Sequence, residues 1–493
     1  MSAVVDDPTQ GPSAPAVAVP IGHERVFEAA PEEELLYSLS ADGKRKFMHP
    51  TVHTGRFWQI RRVLAYALFV LFVALPIIPV GGYPAVFFDI ANRKSHIFGG
   101  TFYPTDALIL VSFGLSIVVT VFFVASTFGR MWCGYACPQT VYLEFLFRPI
   151  EAWLEGGPLN QKRLNAGPWT AQKYRIKATK WVIWTAVALF MSLNFAAYFN
   201  GWVGIRALLA HPGASKGVLF LVALLTVAIL FDFSWFRDQM CTIACPYGRL
   251  QNVLSDKDTI LVAYDVKRGD PKVKLRDRVA GRQAGDCINC FACVSACPTG
   301  TDIRRGLQPE CIGTAQCVDA CEEVMLKQGK PIGLIKYTSE RQQQGETQHT
   351  WRLRNIAYLT IMTLTWGTFG TLVLTRANAL VEFVRGGREP YRLLQNGLVA
   401  NQQRVRFTNQ LETAQKFTVE LVGQPKATFV LSDSPVTVGK TEVVTVNAVT
   451  TVPPEIFVDG QATVTYVVTS DQGYRKEIKF LLLGPFNQVG AGK

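Results

Sequence analysis

The chain is 493 residues long, 49% of them apolar, with a formal charge of +12 and a positive mean hydropathy. That length allows two or three domains and excludes a small single-core module. The charge alone would suit a nucleic-acid binder, but the long apolar runs give the better account, because Lys and Arg gather beside membrane spans on the cytoplasmic side.

Residues 1–60 combine Ala/Pro-rich stretches with Glu32, Glu33 and Glu34 and hold no apolar run long enough for a leader. They read as a loosely ordered cytoplasmic arm. His49 and His53 stand four apart near its end, and Pro50 between them argues against one helix face and against a metal site.

Five segments have about the length that crosses a bilayer core, roughly 20 residues. They run from Val63 to Val80, Leu108 to Phe128, Trp181 to Phe199, Val218 to Phe236 and Ile356 to Leu374. Lys44, Arg45, Lys46, Arg56, Arg61 and Arg62 precede the first; Lys162, Arg163, Lys173, Arg175, Lys177 and Lys180 lie between the second and third. The other two loops between spans one and four offer only Arg93 with Lys94 and Arg206 with Lys216. The bias puts the N-terminus inside and, after an odd number of spans, the C-terminus outside. The expected division is an arm at 1–60, four spans within 61–249, a cytoplasmic domain at 250–350, a fifth span at 351–375 and an outer domain at 376–493.

The ends of spans two and four echo each other: Arg130-Met-Trp-Cys133-Gly-Tyr-Ala-Cys137-Pro138 and Arg237-Asp-Gln-Met240-Cys241-Thr-Ile-Ala-Cys245-Pro246. If helical, cysteines four apart share a face and present two sulfurs to one ion. The proline after each second cysteine suits the first turn of a further helix. Soft thiolates, with Met131 and Met240 as thioether donors, select Cu(I) over hard cations. The alternatives are another iron-sulfur cluster, a ligand lent to the neighbouring cluster region, or small apolar side chains packing helix on helix. Asp232 reads as an interfacial residue or a proton or metal group, Asp106 as a cap for span two, and His96 and His211 as solvated residues of outer loops.

The next motif is the most specific. Cys287-Ile-Asn-Cys290-Phe-Ala-Cys293-Val-Ser-Ala-Cys297-Pro298 is a C-x2-C-x2-C-x3-C-P run, the bacterial ferredoxin spacing in which the fourth cysteine serves a second cluster. Cys311-Ile-Gly-Thr314-Ala-Gln-Cys317-Val-Asp-Ala-Cys321 nearly repeats it, with Thr314 where a cysteine is due. By the ferredoxin crossover, Cys287, Cys290, Cys293 and Cys321 hold cluster one, a 4Fe-4S cluster, and Cys297, Cys311 and Cys317 hold cluster two, either 3Fe-4S or 4Fe-4S with an unusual fourth ligand. Zinc sites use C-x2-C pairs too, but without this run. All eleven cysteines fall on or near the expected reducing side, and none follows Cys321, so a disulfide framework is not expected.

Beyond span five, β-branched residues alternate. Lys416 to Leu421, Thr441 to Asn447, Thr463 to Thr469 and Tyr474 to Leu483 read as strands, the last two joined across Ser470-Asp-Gln-Gly473, with further strands near Val405 and Phe429. An immunoglobulin-like sandwich without its disulfide is expected, and with no histidine after His349 it reads as a docking module. The fold class is therefore multi-domain: a bundle of five membrane helices, a dicluster ferredoxin-like insert and a C-terminal all-β sandwich.

Two C-x3-C-P motifs, a dicluster ferredoxin insert, a final span and an outer β domain in this order resemble the FixG/RdxA/CcoG family of cytochrome oxidase accessory proteins; NapH and NosR membrane ferredoxins share the paired motifs. The resemblance implies a multi-pass protein of the bacterial inner membrane that reduces Cu(II) to Cu(I) for a copper-transporting P-type ATPase or a copper chaperone and for assembly factors of a cbb-type oxidase. Cys133, Cys137, Cys241 and Cys245 would be the reducing and copper-binding thiols. The alternatives are a quinol-linked redox relay and a non-catalytic assembly scaffold. The electron donor is unknown, a homodimer is compatible with the sequence, no nucleic acid is expected, and no nicotinamide or flavin fingerprint is evident.

Overall fold

A computed structural model describes residues 47–486, apart from 212, 214, 275–283, 307, 350, 388 and 412. Residues 1–46 of the expected arm at 1–60, with Lys44, Arg45 and Lys46, lie outside them. Five helices among the described residues are long and apolar enough to cross a membrane: Arg56–Ala74, Ala107–Phe128, Ala171–Ala210, Lys216–Phe236 and Leu353–Leu374. The described residues divide into two compact units, one taking in those up to 66, 122–181 and 231–355, the other 67–121, 182–230 and those from 356 on.

Two spans differ from expectation. The first ends at Ala74 instead of Val80, because Pro76 and Pro79 cannot continue the hydrogen-bond ladder, and Pro79–Val80 pairs as a short strand with Tyr83–Pro84. It starts earlier, at Arg56, because Asp319 caps it: the carboxylate accepts from Phe57 N at 3.2 Å and Trp58 N at 2.8 Å. The third helical stretch is twice the expected length and is broken at Gly201, whose φ of 64° and ψ of 160° are not helical.

In the first unit a buried apolar cluster of Val262, Tyr264, Cys287, Cys293, Val318, Met325 and Ile335 joins the ferredoxin segment to the antiparallel pair Leu261–Tyr264 and Ile335–Thr338. The sequence repeat is also a backbone repeat. Helices Ala292–Ser295 and Gln316–Lys327 both follow a non-glycine residue in the left-handed region, Phe291 at φ 58° and Ala315 at φ 54°. The turn therefore has the same form whether Cys290 or Thr314 precedes it. Helix Arg148–Glu155 carries a buried ionic group: Glu151 pairs with Arg237 at 2.5 Å and Lys180 at 3.2 Å, and Glu155 with Lys180 at 2.6 Å and Lys177 at 2.8 Å.

In the second unit the carbonyl of Phe72 would ordinarily accept from the residue four places on, but that is Pro76, which has no N–H. Asn194 Nδ2 and Tyr198 Oη donate to it instead, at 2.8 and 2.7 Å. A three-stranded sheet, Val86–Asp89, Lys94–Ile97 and Gly100–Phe102, follows the first span. After the fifth span come two antiparallel sheets. In one, Val399–Asn409 lies between Ala379–Arg385 and Val443–Val452, with Thr428–Leu431 outermost; in the other, Gln461–Ser470 lies between Gln415–Val422 and Arg475–Leu483, with Val436–Val438 outermost. Alternating residues, among them Val405, Phe407, Phe417, Val446, Tyr466 and Val468, fill the core between the sheets. Lys94 Nζ and Tyr103 Oη both donate to Thr441 O, at 2.7 and 2.9 Å, tying the three-stranded sheet to this domain.

Candidate iron-sulfur and thiol centre

All eleven cysteines are free thiols and all lie in the first unit. Cys287, Cys290, Cys293 and Cys321 line one cavity, walled by Phe291, Met325 and Ile335. Burial pushes the Cys293 and Cys321 thiols up to about 12, and the neighbouring cysteines add to the shift. A cavity lined by four free thiols fits a cubane, which takes one thiolate per iron.

Cys297, Cys311 and Cys317 form a second group. Cys317 is driven well above its ordinary value by burial and then by Cys311 and Cys297, and Cys311 is pushed up to about 11 by burial and Cys297. The Gly313 amide faces the Cys311 sulfur, and Cys297 Sγ lies 3.3 Å from Thr299 Oγ1. Thr314 is buried, in the stretch between Cys311 and Cys317. Three thiols and a hydroxyl side chain are thus what the loop offers a second cluster.

The thiol pairs are not arranged as helix faces. Met131–Tyr135 is a single helical turn that ends before Cys137, and Met240–Ala244 is a turn of π-helix that ends before Cys245. Cys137 and Cys245 are both extended, with ψ of 127° and 113°, and each precedes a helix with proline in its first turn, Pro138–Tyr142 and Pro246–Leu254. The two pairs nevertheless converge. Burial pushes Cys133 and Cys241 up to about 12, with Cys137 and Cys245 adding to the shift at Cys133, and Cys137, Cys133 and Cys245 adding to that at Cys241. Gln251, on the helix after Cys245, places Oε1 3.9 Å from Cys133 Sγ.

Arg130 joins this group to the second cluster loop. Its Nη1 donates to Pro309 O and its Nη2 to Cys241 O at 3.4 Å. Gly134 packs against the same loop: a Cβ there would lie 2.8 Å from Ile312 O and 2.9 Å from Gly313 O. Sequence reasoning did not single out Arg130, Gly134, Tyr247 or Gln251. The one available signal was that Arg130 and Arg237 both stand shortly before the first cysteine of a pair.

The remaining candidates are placed as follows. His53 Nδ1 meets Glu323 Oε2 at 2.7 Å, and the His49 side chain lies by Gln161, so the two do not form a metal site. His96 is not solvated: on the middle strand of the three-stranded sheet it is 3% exposed, stacked on Tyr83 at 3.7 Å and bonded to Thr101 Oγ1 at 2.9 Å. His211 is exposed. Asp232 accepts from Gln139 Nε2 at 3.1 Å. Asp106 accepts from Tyr103 N at 3.0 Å, capping the turn that leads into the second span, and pairs with Arg376 at 2.6 Å. Met131 is half-buried, and Met240 is 37% exposed.

Known proteins resemble this chain along most of its length. A 4Fe-4S dicluster domain family matches residues 236–340, a 4Fe-4S binding domain family residues 110–157, and a family described as an IG-like fold at the C-terminal of FixG residues 369–485. Protein RdxA of Cereibacter sphaeroides is 35% identical over 354 residues, 69% of this chain and 73% of its own. Protein RdxB of the same organism is 34% identical over 389 residues, 76% of this chain and 79% of its own. The nitrogen fixation protein FixG of Rhizobium meliloti is 36% identical over 263 residues, 52% and 49% of the two chains. A crystal structure of a FixG-related protein from Vibrio parahaemolyticus covers 22% of this chain and 99% of its own at 14% identity, with a TM-score of 0.20 that carries no argument.

Proposed function

The chain belongs to the FixG/RdxA family, and from that premise we propose that it is a cupric reductase of a bacterial inner membrane, making Cu(I) for the assembly of a cbb-type haem-copper oxidase. It is an iron-sulfur electron-transfer protein of oxidoreductase type. Clusters held by Cys287, Cys290, Cys293 and Cys321 and by Cys297, Cys311 and Cys317 would supply single electrons, and one electron converts Cu(II) to Cu(I).

The observation that carries this reading is the contact of Gly134, between Cys133 and Cys137, with Ile312 and Gly313, between Cys311 and Cys317. There the two loops touch backbone to backbone, and the Arg130 side chain spans them from Cys241 O to Pro309 O. The thiols of Cys133, Cys137, Cys241 and Cys245 are soft donors that favour Cu(I) over hard cations. Met240, exposed beside Cys241, and Met131 are the flanking thioethers. The basic flanks of the first and third spans support a cytoplasmic site for the thiols and an outer site for the β domain, which would dock a copper-transporting ATPase, a copper chaperone or an oxidase assembly factor.

The test is reduction of Cu(II) by anaerobically purified, pre-reduced protein, followed with a Cu(I)-specific chelator. The variant with serine at 133, 137, 241 and 245 should be slower by at least about tenfold, roughly the effect of losing 1.4 kcal/mol of barrier lowering. Equal rates would sink the proposal.

One observation favours a second reading, a quinol-linked relay. A cavity is lined by His49, Trp58, Tyr66, Glu144, Arg148 and Gln316 among others, and Gln316 adjoins Cys317 in sequence. Aromatic and ionisable groups together at the end of the first span suit an amphipathic electron donor. Cluster bleaching on addition of a short-chain quinol, without copper, would support it; an unchanged spectrum would dismiss it.

A further inference from the structure

We propose that Cys133, Cys137, Cys241 and Cys245 are together the ligands of a third iron-sulfur cluster. This rests on the cupric-reductase reading and changes one part of it: the four sulfurs hold iron in place of copper, and copper meets its electron beside them, with Met240 as the exposed soft donor. The two loops form one site, since Arg130 donates from the first to Cys241 O in the second and Gln251 reaches back to Cys133 Sγ at 3.9 Å. A single Cu(I) would need two or three sulfurs on one atom. Four thiols on two adjoining loops are instead the ligand set of a polynuclear centre, with one thiolate to each iron.

The surroundings are those of an anionic, sulfur-rich group. The amides of Gln139 and Thr140 face the Cys137 sulfur from the start of its helix. Arg130 lies beside Cys133 and supplies positive charge. Gln251 is wholly buried with Nε2 unpartnered, and Tyr247 Oη and Arg130 Nε are buried without partners too. Three orphaned donors around four thiols are costly unless something accepts from them. Half a turn of the Gln251 amide would offer its N–H to sulfur. Cys137-Pro138 and Cys245-Pro246 also share the Cys-Pro step of Cys297-Pro298, and the 4Fe-4S binding family that matches residues 110–157 covers the first pair.

The test is iron and acid-labile sulfide content, with Mössbauer and electron paramagnetic resonance spectra, on the full chain purified anaerobically in detergent. Three clusters predict about eleven or twelve irons per chain, against about seven or eight for the ferredoxin clusters alone. The variant with serine at all four positions should lose about four irons and keep the ferredoxin signals. If that variant does not fold, the count on the unaltered protein decides. About eight irons or fewer, or four thiols that titrate with Cu(I) at full iron content, would overturn the proposal. Full iron content without Cu(II) reduction would overturn the cupric-reductase reading and leave the third cluster standing.

Discussion

Gly134 and Gly313 meet backbone to backbone. A Cβ on Gly134 would lie 2.9 Å from both the carbonyl carbon and oxygen of Gly313, and a Cβ on Gly313, whose φ is +68°, would lie 3.2 Å from Arg130 C and O. Tyr337 Oη donates to Gly313 O at 2.8 Å and sits 3.2 Å from Tyr135 Oη, so the contact is held from the side as well. Two glycines therefore set how closely the thiol loop approaches the second cluster loop.

Gly134→Ala should force these loops apart, because the obstructing atoms are backbone and cannot rotate away. The expected cost is about 1–3 kcal/mol, the usual range for overpacking. Thermal unfolding in detergent would read it, together with altered paramagnetic resonance of the second cluster. An unchanged midpoint would mean that the loops have room to yield.

Asp319 stands between Cys317 and Cys321 on one helix and caps another, accepting from Phe57 N and Trp58 N. Asp319→Ala should cost about 1–2 kcal/mol by leaving these helix-end donors unpaired. Asp319→Asn should recover part of that, since its side-chain oxygen still accepts. Amide exchange at residues 57–60 is the direct check: it should quicken in the alanine variant.

Glu151 is held down to about 2, against the opposing effect of burial, by Arg237 and Lys180. Its ordinary value is 4.5, so the folded form binds the proton more weakly than the unfolded one. The stabilisation is fully present above about pH 4.5 and is lost as pH falls toward 2, on the order of 3 kcal/mol in all. Unfolding midpoints measured from pH 7 to pH 3 should fall more steeply for the native protein than for Glu151→Gln. At pH 7 that variant should be less stable by about 3–5 kcal/mol, since it leaves buried cations uncompensated.

The Phe72 carbonyl, orphaned by Pro76, relies on Asn194 and Tyr198. Replacing them with Leu and Phe should cost about 0.6–1.7 kcal/mol each, and the pair more than either, in the range of hydrogen bonds between membrane helices. Pro76→Ala in the double variant should restore an internal donor and recover stability. Failure to recover would show that the carbonyl was not the group in need.

What the sequence determined by itself is what short-range chemistry encodes. Cysteine spacing identified iron-sulfur ligation, because chelating a cluster from one stretch of chain demands close, regular steps. Apolar length identified five spans, and two-residue alternation identified the C-terminal strands, because each is a local period. The tertiary structure decided whatever depends on a partner distant in sequence. The first span starts at Arg56 because of a carboxylate at position 319, and the Phe72 carbonyl near its other end is met by Asn194 and Tyr198. The pairs 133/137 and 241/245 become one group of four because Arg130 and Gln251 bridge loops more than a hundred residues apart. No local period reports such pairings, since their energy comes from burial and from hydrogen bonds made only once the chain has folded.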